Sequence, residues 1–526
     1  MSEQRCRLAI IGLDGATWDQ ALPLMEAGKL PNIERITSAG ARGRLRSTIP
    51  PVTSVAWTSM YTGVEPREHG ILAMQSYDPV HRRWRPVCRS DSRVAPFWKD
   101  FNRRGLSVGL LCLPFTYPPE PLDGWMISGI MGTPEYGPTM FSSPALYEQV
   151  TKACGKTDLV SLTKVHPSRR RATLGQQAQW LEDASAYLLE HHPVDVFFVV
   201  ENYTDHIQHS YLQARKWEHP GETGDPVEDA YIHADRLVGR IEQCVGPETP
   251  IVLLSDHGHT PCRGLINTGR INTRFPVSGN GAGDLRLVRP AVRRGAKRML
   301  RSWAGVLAGA LRAAAPSSSY ERLKQRLAAS PLRSLFSVEQ TADSALIRWP
   351  GAFGEAYWSV DYEENRDALA KLKPEIIAAL RELRFPDRDE PLFEVYDGLE
   401  LYGAEGPNVP FAVCFPAPGY VTGPMGADAS LVLSYEETAR QLVFKKEGWQ
   451  GTHQMEGIVG ANAAALARIG KLPTAISGML QALREVLDLP YAEPERVSSG
   501  GCATEELSEA DIEAMEGRLR DLGYMG

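Results

Sequence analysis

IVLLSDHGH, residues Ile251–His259, is the stretch whose reading decides the fold. Four apolar β-formers run unbroken into Ser255, Asp256, His257 and Gly258. A short continuous apolar run is the pattern of a parallel strand buried on both faces. In open α/β sheets, ligands gather beyond the carboxyl ends of such strands. A carboxylate next to an imidazole at that edge is placed to hold a metal ion. Asp-His-Gly is equally ordinary turn chemistry, so the metal reading needs other strands that end the same way.

Two others do. Cys6–Leu13 (CRLAIIGL) reads as a buried strand ending in Asp14-Gly15, where Asp14 is either a helix cap or an acid at the same edge. Gly12 and Gly15 do not make G-x-G-x-x-G, so no dinucleotide fingerprint is present. Val194–Val200 (VDVFFVV) follows a helical stretch at Gln176–His191 and runs out into Asp205-His206-Ile207-Gln208-His209. A helix starting at Thr204 would put Asp205 and His209 one turn apart on one side, able to share a cation. His206 is expected to face solvent or to sit beside the ligands. Acids gathered from three strand ends would repel one another, and bound divalent metal removes that cost. The convergence of Asp14, Asp205 and Asp256-His257 therefore predicts a two-metal site.

Further from the centre, Pro50-Pro51 stops an extended segment, and Thr53–Thr62 reads as a short helix ended by Gly63. Thr53 at its amino terminus is either an N-cap or a hydroxyl held where an anion is favoured. With a metal to help remove its proton, that hydroxyl could attack phosphorus; Ser54 and Thr58 are further candidates. His453, in an exposed loop near Gly448 and Gly451, is a candidate third ligand beside Asp205 and His209.

The bulk numbers set the class. With 526 residues, 43% hydrophobic and 23% charged, the chain can bury a large core as an ordinary globular protein. Its net charge of −7 gives no overall pull toward nucleic acid, and no sequence-specific nucleic-acid partner is expected. Eight scattered cysteines without a C-x-x-C pair argue against a zinc ribbon or a disulfide framework. No signal-peptide pattern or membrane-length apolar run is read, so the expected location is cytoplasmic.

Four regions are expected: 1–275 as the first part of a metal-binding α/β core, 276–404 as an inserted helical/α+β cap, 405–490 as the second part of the core carrying His453, and 491–526 as a linker and C-terminal helix. Between Asp284 and Arg333, twelve Lys/Arg face two acids. Leu300, Trp303, Val306, Leu307, Ala310 and Leu311 make an apolar stripe there at helical spacing. Such a basic amphipathic helix either caps the body or, through 286–312, makes peripheral membrane contact. Oligomeric state is not readable.

Together GLDG at Asp14, PPVTSVAWTSMYTG and PREHGI around Thr53, TDHIQH at Asp205–His209, SDHG at Asp256–His257 and GTHQMEGI at His453 resemble the alkaline phosphatase superfamily. The nearest resemblance is to its type I phosphodiesterase/nucleotide pyrophosphatase branch, in the bacterial predicted phosphohydrolase/phosphomutase group. The pieces occur in the family's order and span nearly the whole chain. The resemblance implies a three-layer α/β sandwich around a mostly parallel sheet. It implies one divalent metal on Asp205, His209 and His453, and another on Asp14, Asp256 and His257, with Thr53 as a nucleophile that also reaches the second metal. Zinc is the expected ion, with manganese or iron also used in the family; mixed carboxylate and imidazole donors suit these.

One departure is visible. Met74 stands where the nucleotide pyrophosphatases carry an Asn that holds a phosphoryl oxygen, with Gln75 next to it. That sets nucleotide-type diester recognition, and the choice between monoester and diester, apart from the metal site. The expected activity is hydrolysis of a small phosphate ester, phosphodiesterase- or pyrophosphatase-like, through a phosphothreonine. The alternatives are a phosphomutase or phosphotransferase of the same fold, or a non-catalytic membrane- or partner-binding protein. A sulfatase is disfavoured because no C-x-P-x-R segment occurs.

Overall fold

The computed structural model describes residues 6–78, 83–129, 136–157, 165–217, 223–275, 277–278, 286–287, 346–441, 450–497 and 509–521. Apart from Arg286–Leu287, the expected basic helix at 286–312 lies outside the described residues. Among them, no helix is long and apolar enough to cross a membrane.

The chain folds as two compact units: Met1–Cys262 with Gly398–Val409 and Trp449–Gly526, and Arg263–Asp397 with Pro410–Gly448. The first is built on a seven-stranded sheet in the order Ala41–Arg46, Glu456–Ala461, Ile251–Leu254, Leu8–Leu13, Val196–Glu201, Val108–Leu113, Gly124–Ser128. Leu8–Leu13 runs parallel to both of its neighbours, as does Val108–Leu113. Only Glu456–Ala461 runs antiparallel to the strands on either side. The sheet is thus mostly parallel, as the unbroken apolar runs predict.

Alternation along these strands feeds two separate cores. Ala9, Ile11, Leu13, Phe197 and Val199 pack with helices Trp18–Glu26, Pro31–Ala39 and Pro226–Val245. Leu8, Ile10, Val196, Phe198 and Val200 pack instead with helices Thr53–Thr62, Phe97–Arg103 and Met479–Val486. Helix, sheet and helix make the three layers, and both faces of the central strands are fully buried. At about 25 cal/mol per Å² of apolar area, such two-sided burial dominates the stability of the unit.

The parallel register aligns the strand ends. Leu13 lies opposite Glu201, and Gly12 opposite Leu254, so Asp14, Asp205 and Asp256 leave from one edge. A two-stranded ribbon lies beyond it: Gly451–Gln454 pairs antiparallel with Gly258–Pro261. His453 is therefore a buried strand residue, not the residue of an exposed loop that the flanking glycines suggest. The cause is a pairing between segments far apart in sequence.

The second unit carries a four-stranded sheet in the order Ile347–Arg348, Glu355–Trp358, Ala412–Pro416, Phe393–Asp397, packed with helix Tyr362–Arg381. The apolar run Val409–Phe415 has the sequence pattern of a late core strand, and the strand Ala412–Pro416 belongs to this sheet. The C-terminal helix is present at Glu509–Asp521.

Candidate metal centre

Asp14 and Asp256 at the sheet edge each have one oxygen held and another left over. Asp14 Oδ2 accepts from Trp57 Nε1 at 3.0 Å and from Asn202 Nδ2 at 2.7 Å. Asp256 Oδ1 accepts from the Gly15 N–H at 3.2 Å. Among the described residues, Asp14 Oδ1, Asp256 Oδ2 and His259 Nε2 are buried without a hydrogen-bond partner. Orphaned polar atoms in a dry interior are costly, and their clustering marks a place for a cation.

The histidines repeat the pattern. His209 Nδ1 lies 3.1 Å from the Gly451 carbonyl, His257 Nδ1 3.3 Å from Gly258 O, His259 Nδ1 3.1 Å from Gly15 O and His453 Nδ1 2.7 Å from Pro51 O. Carbonyls only accept, so this network assigns the proton to Nδ1 in all four rings. Every Nε2 lone pair is thereby directed inward, the form a metal ligand needs.

Two groups of donor atoms result. Asp205, His209, His259 and His453 form one, and Asp14, Asp256 and His257 the other. The structure thus gathers Asp205, His209 and His453 in one group and Asp14, Asp256 and His257 in the other, while Thr53 belongs to neither. It adds His259, which sequence reasoning missed. The overlooked signal is H-x-H just beyond the apolar run, a second imidazole two residues after His257. The sets adjoin: the rings of His257 and His453 stack with centroids 3.6 Å apart.

Helix Tyr203–Tyr211 carries both Asp205 and His209. Glu201 anchors its start, accepting from the Thr204 N–H at 3.0 Å and from its hydroxyl. His206 on the same helix is buried rather than solvent-facing. Thr53 is the first residue of its helix; the cap is Val52, so the threonine side chain is not spent on capping. Its Oγ1 lies 3.4 Å from His257 Nε2 and is fully buried. Ser54 and Thr58 point their hydroxyls at carbonyls, of Ala73 and Ser54 respectively.

The electrostatics agree with a cation site. Burial, then the neighbouring charges of Asp256 and Asp205, pushes the Asp14 carboxyl well above the usual range. Burial followed by the Asp205 charge takes Asp256 up to about 8. Burial lowers His257 to about 3 and holds His209, His259 and His453 below their ordinary values. With no countercharge the acids are driven toward the neutral form, while the imidazoles are already in the neutral ligand form. Divalent charge reverses the first tendency and is suited by the second. The residues present fit a pair of divalent metal ions.

The family model for type I phosphodiesterase / nucleotide pyrophosphatase matches residues 8–343, nearly two thirds of the chain. The chain belongs to that family. Its members are metal-dependent hydrolases acting on phosphoric ester bonds, and this chain is one. His453 lies beyond the matched residues, so its arrival beside Asp205 rests on the fold alone.

Among solved structures, phosphonoacetate hydrolase from Sinorhizobium meliloti 1021 in complex with phosphonoformate is similar at 15% identity. The match covers 92% of this chain and 96% of that one, with a TM-score of 0.51. The same hydrolase with phosphonoacetate gives 14% identity over the same shares, also at 0.51. Murine ectonucleotide pyrophosphatase / phosphodiesterase 5 aligns at 12% identity over 93% of this chain and 97% of its own, with a TM-score of 0.47. No curated protein matches the chain. At these identities the likeness to the hydrolase is one of fold, the alkaline-phosphatase-like sandwich.

In this phosphodiesterase-family chain, Met74 is buried. Gln75 opens the strand Gln75–Asp78, and its Oε1 is buried without a hydrogen-bond partner among the described residues.

Proposed function

We propose that the chain hydrolyses a small phosphate ester, phosphodiesterase- or pyrophosphatase-like, by two in-line phosphoryl transfers through a phosphothreonine at Thr53. The observation that carries this reading is the place of the Thr53 hydroxyl: buried, at a helix amino end, and 3.4 Å from His257 Nε2. Asp14, Asp256 and His257 would hold one divalent cation, and Asp205, His209 and His453 the other. Zinc suits the mixed donors, as do manganese and iron. When bound, the cations supply positive charge that lowers the pKa of a hydroxyl or water and offsets charge on phosphoryl oxygens.

The chain's own residues do the rest. Thr53 Oγ1 bonds to phosphorus as the bond to the leaving oxygen breaks, and the hydroxyl proton passes through solvent to the departing group. The helix amino end favours the anionic phosphoryl group throughout. Water then attacks phosphorus on the opposite side, Thr53 Oγ1 leaves, and it regains a proton. Trp57, Asn202 and the Gly15 N–H keep Asp14 and Asp256 oriented through both steps. No separate Ser-His-Asp triad is needed.

Metal-loaded protein should be compared on aryl phosphomonoester, phosphodiester and sulfate substrates. Acid quench during turnover should trap the phosphoryl group on Thr53, with its remaining ester substituent where a diester is used, read by peptide mass spectrometry. Thr53→Ala should lose on the order of 10³-fold or more in kcat while keeping its metal. Full activity in that variant would refute the nucleophile.

A further inference from the structure

We propose that His259 is a fourth protein donor to the Asp205 cation, making that centre a four-donor site that holds its metal more tightly than the Asp14 centre. The proposal rests on the metal-binding part of the reading above and is independent of the phosphothreonine.

Spacing is the first argument. A tetrahedral ion with ligands at about 2.0–2.1 Å needs donor atoms about 3.3–3.4 Å apart. From Asp205 Oδ1, the distances are 3.4 Å to His209 Nε2, 3.4 Å to His259 Nε2 and 3.5 Å to His453 Nε2. His209 Nε2 and His453 Nε2 are 3.0 Å apart. His259 thus stands as close to the shared carboxylate oxygen as the two histidines already assigned.

Its tautomer is the second argument. His259 Nδ1 faces the Gly15 carbonyl at 3.1 Å, which requires the proton on Nδ1. The Gln208 amide donates to the same carbonyl at 2.9 Å and lies 3.5 Å from Nδ1, at the limit of a contact. In the neutral ring His259 Nε2 then has a lone pair and no proton. It cannot donate to Asp205, and among the described residues it has no hydrogen-bond partner. A lone pair buried beside a carboxylate oxygen is unfavourable unless a cation lies between them.

The ribbon supplies the rigidity. His259 and His453 are directly opposed across the antiparallel pairing, so both imidazoles come from one ladder. By contrast, the Asp14 centre has three such donors, with the Thr53 hydroxyl 3.4 Å from one of them. Four protein donors are the usual form of tightly held zinc, and expansion to five-coordinate leaves a position for a phosphoryl oxygen or water. The order of loading follows: the first equivalent of metal goes to the Asp205 centre, the second to the Asp14 centre.

The test uses cobalt(II) with the full chain and reads visible absorption and bound-metal stoichiometry during chelator titration. Wild type should bind two equivalents, with the first giving the intense bands of four-coordinate cobalt and resisting chelator longest. His259→Asn can keep a donor for the Gly15 carbonyl but has no Nε2. It should fold as wild type by circular dichroism, lose the intensity of the first equivalent, and release that equivalent at roughly 10–100-fold lower chelator, at least the loss typical of an outer partner. His259→Ala should do the same, with imidazole restoring the bands. Unchanged first-equivalent bands and chelator resistance in His259→Asn would overturn the proposal while leaving the two-metal reading intact. Failure of wild type to bind cobalt would overturn both.

Discussion

The Asp14-Gly15 dipeptide concentrates the demands of the site. Gly15 has φ +66°, and a Cβ there would meet His259 Nδ1 at 2.7 Å and Asp205 Oδ1 at 3.0 Å. Backbone strain of about 1–2 kcal/mol would be joined by displacement of two ligand side chains. Gly15→Ala should therefore fold less stably and bind fewer than two equivalents of metal, read by thermal melting and elemental analysis; two equivalents at wild-type affinity would contradict this. Gly12 plays a different part, leaving room for the Trp57 ring that holds Asp14, since its Cβ would lie 2.5 Å from that ring. At this scale the acids were legible because each follows an apolar run, and a strand's end can be read from one segment. His259 is not legible in the same way, because Asp256-His257 already accounts for its segment, and only the fold shows which cluster a second imidazole joins.

At the scale of elements, local signals and distant pairings separate. The Thr53 helix announces itself through Pro50-Pro51 before it and Gly63 after it, and Gly63 indeed ends it at φ +71°. The Asp205 helix follows from four-residue spacing beyond a strand. The ribbon that brings His453 does not, because nothing in GTHQ states that it will pair with GHTP. Its fit against the Asp205 helix is tight: a Cβ on Gly451 would meet the Gln208 carbonyl at 2.4 Å, and His209 Nδ1 is oriented by the Gly451 carbonyl. Gly451→Val should push the ribbon off that helix. The Asp205 centre should then lose its metal in preference to the Asp14 centre, leaving about one equivalent bound. Retention of both equivalents would show that the ribbon has room to spare.

At the scale of the molecule, two settings of buried acids contrast among the described residues. Those at the sheet edge of the first unit come with imidazoles, in sets fit to share a cation. Glu355 in the second unit is 3% exposed, belongs to neither set, and leaves Oε2 without a hydrogen-bond partner among the described residues. Burial raises its carboxyl from 4.5 to about 7, with backbone hydrogen bonds of Glu355 and Phe353 pulling the other way. A folded-state value above the unfolded one means that the native form binds the proton more tightly. The resulting stability is complete below about pH 4.5, declines as pH rises through 7, and is absent above it. The full swing is on the order of 3 kcal/mol. Glu355→Gln keeps the shape and removes the titration, and every other ionising group, the metal centre included, is common to both proteins. The variant should match wild type near pH 4.5 and become the more stable of the two above pH 7. Paired unfolding curves at the two pH values read the difference directly, and an identical pH slope in both proteins would mean that the Glu355 carboxyl is solvated in solution.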